Sequence, residues 1–231
     1  MTEPDRCIQD LVLANRILAN EGVLDAFGHV SVRHPQRADR FLLSTSKAPE
    51  LVASEDILVY GLDSEPLEPV SQALYAERVI HGEIYRARPD VMAICHHHSP
   101  SVMPFCISGR PLVPVYQHGA MMGAQVPMWD SREAFGDTNM LVTRSEQGAS
   151  LAACLGQAAM VLMRHHGATV VGLTLKEMVF RSVTACRNAE LLYRALALGP
   201  VDGLSPGEIE QAAKVPPMAI DRAWALWAGR I

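Results

Sequence analysis

No uninterrupted apolar run in this chain of 231 residues approaches the roughly 18 residues that a membrane-spanning helix requires. Lysine and arginine nowhere gather into a run, and the net charge is −5, so nucleic acid and anionic membranes are excluded as main partners. The five cysteines, Cys7, Cys95, Cys106, Cys154 and Cys186, have no paired spacing, and the opening residues MTEPDRCIQD are polar and acidic rather than signal-like. Both features point to reduced thiols and a cytoplasmic setting. Internal repeats, low-complexity tracts and Gly/Ser/Pro linkers are missing too, so a single domain over residues 1–231 is expected. With 49% hydrophobic and 19% charged residues, there is ample material for a packed core.

Periodicity supplies the elements. Ile8, Leu11, Val12, Ile17 and Leu18 fall near helical spacing and predict a first amphipathic helix over residues 5–20. GHVSVRHP (28–35), RFLLST (40–45), EDILVYGLD (55–63) and VMAICHHH (91–98) read as strands, and AMVLMRHHGATVVG (159–172) as a strand, a turn near Gly167 and a return strand. Helices are expected over 71–87, 148–158, from the Thr174/Glu177 capping box to about Ala197, after Ser205-Pro206, and near 217–228 with Trp224 and Trp227. Strands surrounded by helices, several joined by short turns, predict an α/β layered fold with mixed or antiparallel pairing.

Strand side chains alternate, so His96 and His98 in AICHHHSPSVMPF (93–105) share one face and His97 takes the other. RHHG (164–167) offers a third imidazole, His166, at the end of an apolar strand, with His165 expected to face away. Three neutral imidazoles at roughly 2.0–2.1 Å with one open position form a normal catalytic zinc arrangement, and the same set accepts manganese or cobalt. Ordinary polar residues at a strand end are the bland alternative. Glu77, four residues before His81 and amid Leu74, Ala76, Val79 and Ile80, is a proton-transfer candidate if desolvation raises its pKa. A helical glutamate is more often simply solvated, as expected of Glu83. Cys95 shares the His97 face and reads as packing, and the methionines of HGAMMGAQVPMW (118–129) read as core filler.

GHVSVRHP, STSKAPELVASEDILVYGLD (44–63), AERVIHGEIYRARPDVMAICHHHSPSV (76–102), RHHGATVVGLTLKEMVFRSV (164–183) and NAELLYRALALG (188–199) together resemble the class II aldolase/adducin family, in that family's order and over residues 7–200. The resemblance implies a three-layer α/β/α fold around a mostly antiparallel sheet. It implies one divalent metal per subunit, Zn²⁺ or Mn²⁺ with Co²⁺ or Mg²⁺ as further candidates, held by His96, His98 and His166, with Glu77 as the acid/base. It also implies a homotetramer with active sites at subunit boundaries, which would occupy the helix carrying Trp224 and Trp227 unless those rings are core contacts.

Departures from the family pattern shape the expected substrate. Family aldolases that act on sugar phosphates carry Gly-Asn where this chain has Gly28-His29, Thr-Gly within Ser44-Thr45-Ser46-Lys47, and Ser-Ser where it has Tyr75-Ala76. A tyrosine there removes hydroxyl donors from the phosphate cradle, whereas His29 and Lys47 suit a carboxylate. Tyr116 and His118, in PVYQHGAMMG (114–123), stand where relatives place a residue near the substrate. His29, Ser44, Lys47, Tyr75, Tyr116 and His118 are therefore the expected substrate contacts, and Met121 and Met122 extend an apolar wall. The chain is similar to the family's decarboxylase branch, which acts on 3,4-dihydroxyphthalate or 3-hydroxy-2-methylpyridine-4,5-dicarboxylate. The expectation is a carbon–carbon lyase that decarboxylates a small ring-hydroxylated carboxylate through a metal-stabilised carbanion protonated by Glu77. An aldolase, dehydratase or epimerase on a hydroxy-carbonyl substrate, and a non-catalytic adducin-like binding domain, are the alternatives.

Overall fold

A computed structural model describes residues 2–231. In chain order the elements are α1 (Glu3–Asn20), β1 (His29–Arg33), β2 (Arg40–Ser44), β3 (Ile57–Gly61), α2 (Val79–Ala87), β4 (Ala93–His97), α3 (Met103–Ser108), β5 (Met128–Trp129), α4 (Ser131–Phe135), α5 (Ser145–Leu155), β6 (Met160–Met163), β7 (Gly167–Gly172), α6 (Leu175–Leu196), α7 (Pro206–Ala212) and α8 (Pro217–Ala228). The strands form one sheet in the order β3-β2-β1-β4-β7-β6-β5. Every neighbouring pair is antiparallel except β5 and β6. Helices cover both faces, giving the α/β/α layering and mostly antiparallel sheet expected. No helix among the described residues is long and apolar enough to cross a membrane.

Alternation along each strand sorts side chains between two cores. Val30, Val32, Leu42, Ala93, Cys95, Ala168 and Val170 face α1, α6 and α8. Phe41, Leu43, Ile94, Val161, Met163 and Val171 face α2 and α5. Each fully buried aliphatic side chain contributes about 1.5–3 kcal/mol, which is what fixes the strand register against a one-residue slip. Trp224 and Trp227 are buried in the first core, beside Phe180 of α6, so they are core contacts of this chain. Met121 and Met122 belong to the same core rather than to a substrate wall.

Three local expectations need correction. The helix expected over residues 71–87 begins at Val79, and Glu77 sits in the preceding turn, held because Arg78 donates to the Ser64 carbonyl and pairs with Glu65. Glu83 is not solvated: it is buried against Gly148 of α5, with both carboxylate oxygens accepting from Arg86. At α6 only half of the capping box forms, because Thr174 accepts from the Glu177 amide while the Glu177 side chain pairs with Arg181. The box at Ser205 and Glu208 is complete.

Candidate metal and substrate site

β4 lies at the centre of the sheet, between β1 and β7, and sends His96 to the α2/α5 face. His98 follows on the same face just past the strand end, and the His96 and His98 Nε2 atoms are 3.0 Å apart. His166 comes from the turn joining β6 to β7 rather than from a strand. His165 adopts a positive φ of 55°, which swings the chain so that the next ring turns inward. Glu77 enters from the turn before α2, its Oε2 3.6 Å from His96 Nε2 and 3.5 Å from His166 Nε2. One ligand atom from each of Glu77, His96, His98 and His166 lies within 4.8 Å of the others.

Hydrogen bonds behind these rings decide what they present in front. His166 Nδ1 is 2.8 Å from the Met140 carbonyl oxygen, which only accepts, so this nitrogen carries the proton and Nε2 keeps its lone pair. The Thr169 hydroxyl donates to the Met163 sulfur and therefore accepts from His96 Nδ1 at 3.2 Å, leaving His96 Nε2 bare as well. Two lone pairs and a carboxylate oxygen thus converge, and such a set needs a proton or a cation among its members. Nitrogens sharing a tetrahedral ion at 2.0–2.1 Å stand about 3.3 Å apart, close to the spacing found here. The residues present fit a divalent metal.

Burial pulls the His98 pKa down to about 4, aided by the neighbouring imidazoles, and lowers that of His96, so both rings are in the neutral form a metal requires. Glu77 behaves differently from the sequence expectation. Burial alone would raise its pKa, but once a proton or cation is shared with the facing nitrogens of His166 and His96, hydrogen bonding and charge from that side outweigh burial and hold the carboxyl well below the usual carboxylate range. Its Oε1 also accepts from the Val142 amide at 2.8 Å.

A cavity of about 620 Å³ opens beside this cluster, lined among others by Phe27, His29, Lys47, Tyr75, Met140 and His166. His29 is buried, 4.7 Å from the Tyr75 ring and 5.1 Å from that of His96. Ser44 stands behind Tyr75 rather than on the cavity wall, with its hydroxyl 3.4 Å from that of Tyr75, which donates to the Lys47 carbonyl. Lys47 itself is paired with Asp56 at 2.7 Å. Tyr116 and His118 do not reach this cavity within one chain. Their segment packs on α6, where the Tyr116 hydroxyl donates to the Thr184 carbonyl and His118 meets Phe180. His165 does line the cavity, contrary to the expectation that it faces away.

Two contributions had no sequence signal of their own. The 139–142 loop acts through backbone atoms, the Met140 carbonyl and the Val142 amide, which no residue type announces. Behind His29 runs a buried array in which His29 Nδ1 is 2.6 Å from His81 Nε2, His81 Nδ1 is 2.6 Å from Ser31 Oγ, and Ser31 Oγ is 2.8 Å from the Tyr85 hydroxyl. The alternation of His29 and Ser31 and the i,i+4 spacing of His81 and Tyr85 were visible, but nothing in the sequence joined the two segments.

Residues 9–193 match the family model described as Class II Aldolase and Adducin N-terminal domain. Among curated relatives, decarboxylase tropJ of Talaromyces stipitatus is 33% identical, over 97% of this chain and 93% of its own. The 3,4-dihydroxyphthalate decarboxylase of Arthrobacter keyseri is 27% identical, over 82% of this chain and 78% of its own. Among solved structures, an L-fuculose 1-phosphate aldolase from Glaciozyma antarctica superposes with a TM-score of 0.81 at 24% identity, covering 98% of this chain and 88% of that one.

Proposed function

Since the chain belongs to the class II aldolase and adducin family, whose aldolases depend on a divalent metal, we propose that it is a metal-dependent carboxy-lyase acting on a ring-hydroxylated aromatic or pyridine carboxylate. The observation that carries the substrate class is Tyr75. Its ring covers Ser44, its hydroxyl is engaged by the Lys47 carbonyl, and Lys47 is already paired with Asp56. A lysine partly neutralised in this way suits a carboxylate monoanion better than a phosphate dianion. The decarboxylase named among the relatives at 33% identity supports the same choice.

His96, His98 and His166 would hold the ion, Zn²⁺ or Mn²⁺ by donor type. When bound, it supplies Lewis acidity to a substrate carboxylate and the adjacent ring hydroxyl. Glu77, ionised at rest, takes the ring hydroxyl proton at Oε2 while the Val142 amide steadies Oε1. The carbon–carbon bond then breaks, carbon dioxide leaves, and the bonding pair stays on the ring carbon. Glu77 returns its proton to that carbon, so the product is the decarboxylated ring as its phenolate, which takes a proton from water on release, and the carboxylate is ready again. His29, Lys47 and Tyr75 bind and orient the ring acid and keep water from the carbanion. Ser44 supports Tyr75 from behind. The whole chain acts as one catalytic domain in a homotetramer whose second copies cover the exposed rim at Phe27 and Met140, and Tyr116 and His118 contact substrate only where a second copy presents them. The free cysteines fit a cytoplasmic setting.

The test is carbon dioxide release from a panel of ortho-hydroxy aromatic and pyridine mono- and dicarboxylates, with Zn²⁺ or Mn²⁺ supplied, beside His166→Ala and Glu77→Gln. Release that requires both residues is expected. A metal-loaded protein that releases none, yet cleaves or isomerises a hydroxy-carbonyl compound, would replace this reading with the aldolase one.

A further inference from the structure

The array behind His29 has a direction, and that direction determines what His29 shows to the cavity. Tyr85, Ser31 and His81 are fully buried. The Tyr85 hydroxyl has one hydrogen-bond partner among the described residues, Ser31 Oγ. If Tyr85 accepted from Ser31 its own proton would be buried without an acceptor, a cost that disfavours this arrangement by on the order of tenfold or more in population. Tyr85 therefore donates to Ser31. With the Tyr85 proton on its oxygen, Ser31 has one acceptor left for its own proton, His81 Nδ1 at 2.6 Å, and donates to it rather than leave that proton buried and unpaired. Burial, with the charge of His96 nearby, brings the His81 pKa to about 3, so the ring is neutral and its one proton must sit on Nε2. That proton points at His29 Nδ1, 2.6 Å away. A nitrogen that accepts carries no proton of its own, so the His29 proton is left on Nε2, the nitrogen with no hydrogen-bond partner among the described residues, on a ring that lines the cavity.

We propose that Tyr85, Ser31 and His81 are positioning residues that lock His29 as the Nε2–H tautomer, making it a neutral hydrogen-bond donor to an anionic oxygen of the substrate and not a base. Arg33 steadies the far end, its guanidinium 4.7 Å over the Tyr85 ring and donating to the Tyr85 backbone carbonyl at 2.9 Å. The near end is fixed because His29 pairs with His96 across β1 and β4, which sets the donor beside the metal cluster. An ortho-hydroxy acid offers such a donor a carboxylate or phenolate oxygen. A locked donor discriminates against substrates that present a hydrogen there, because two donors would then face each other. This inference rests on the reading of the cavity as the substrate site.

The experiment is selective ¹⁵N labelling of histidine in the Zn²⁺-loaded protein, with two-bond ¹H–¹⁵N correlations reporting each ring's tautomer and His29→Gln assigning the signal. A pyrrole-type Nε2 and a pyridine-type Nδ1 are expected for His29. Tyr85→Phe, which leaves the cavity untouched, removes the group that sets the direction. The Nδ1–H form should then rise on the order of tenfold, and Kd for salicylate as a probe should weaken severalfold at unchanged zinc content. Ser31→Ala interrupts the same array and should act alike, which covers the case of a poorly folding Tyr85→Phe. A pyridine-type Nε2 in the unaltered protein, or a tautomer indifferent to both substitutions, overturns the inference. The tautomer is read without turnover. An Nε2–H ring in a protein that releases no carbon dioxide from any panel member would therefore sink the proposed reaction and leave the lock standing.

Discussion

Gly167→Ala should uncouple the metal from the protein without altering a single ligand. Gly167 follows His166 and opens β7, pressed against β4. A Cβ built there lies 2.3 Å from the His97 carbonyl oxygen and 2.9 Å from His98 Cδ2. The first contact is with backbone and is about 1 Å short of ordinary van der Waals separation, so no rotamer change relieves it. Either β7 moves away from β4, or the peptide carrying His97 and His98 shifts. Overpacking of this kind costs about 1–3 kcal/mol, offset in part by the smaller entropy of an unfolded chain with alanine. For a chain of this length, about 2 kcal/mol corresponds to a Tm lower by roughly 4–8 °C. Metal sites tolerate ligand displacements of only about 0.2 Å, so a shift near 1 Å between His98 and His166 should weaken Zn²⁺ binding by on the order of 10- to 100-fold. Thermal melting of the metal-free protein and competition with a chromogenic chelator read the two effects separately. Gly207→Ala, in α7 where an added Cβ meets nothing within 4 Å, is the control: it shares the unfolded-chain effect, so Tm should hold or rise slightly while zinc binding stays unchanged. A Gly167→Ala protein that melts lower yet binds zinc as tightly as the original would refute the claim that β4–β7 contact sets the ligand spacing.

His97→Leu should retain the metal, since His97 points away from the cluster and its Nε2 has no partner among the described residues. Burial, with His96 and His98 nearby, keeps the folded-state His97 pKa at about 3. Its neutral form therefore adds stability that is complete above the ordinary value near 6.5 and is lost as pH falls below it, by up to about 1.4 kcal/mol per unit. Urea unfolding of the metal-free protein at pH 7 and pH 5 should show the leucine variant losing about 1–2 kcal/mol less than the original, and equal losses would contradict this. Tyr75→Ser uncovers Ser44, so inorganic phosphate should inhibit the variant about tenfold more strongly than the original, and an unchanged inhibition constant would remove Tyr75 as the feature that rejects phosphate. Trp227→Ala should cost about 3–5 kcal/mol in urea at every protein concentration, whereas a loss that depends on concentration would move this ring to a subunit contact.

Legibility in the sequence followed the range of the interaction involved. β4 and its His96/His98 face could be read because alternation is a local rule, and α6 because Thr174 announces its start. The 71–78 stretch misled because its composition is helical, while its conformation is set by Arg78 binding Ser64 and Glu65, fourteen and thirteen residues away. Glu83 resembled any solvated helical glutamate until α5 covered it. His29 could be named as a polar group near the cavity, but its partner His81 lies 52 residues on, and only the packing of α2 over the face of β1 makes them meet. Lys47 was legible as a cation and illegible as a paired one. Residue type shows what chemistry is on offer, whereas long-range packing decides which of it is left free.

The place of β4 between β1 and β7 also has a consequence for the order of events during synthesis. His29 lies opposite His96, and His97 opposite Ala168, so the site is bracketed by strand pairings that each span more than sixty residues of chain. Closing such loops is slow, and the reward arrives only when the distant strand docks. Until β7 has left the ribosome, His96 and His98 can offer a passing metal two nitrogens and no third. With the ligand set proposed above, loading would come after the central sheet has closed, and the ion would act as a late seal on a finished scaffold rather than as a template for folding.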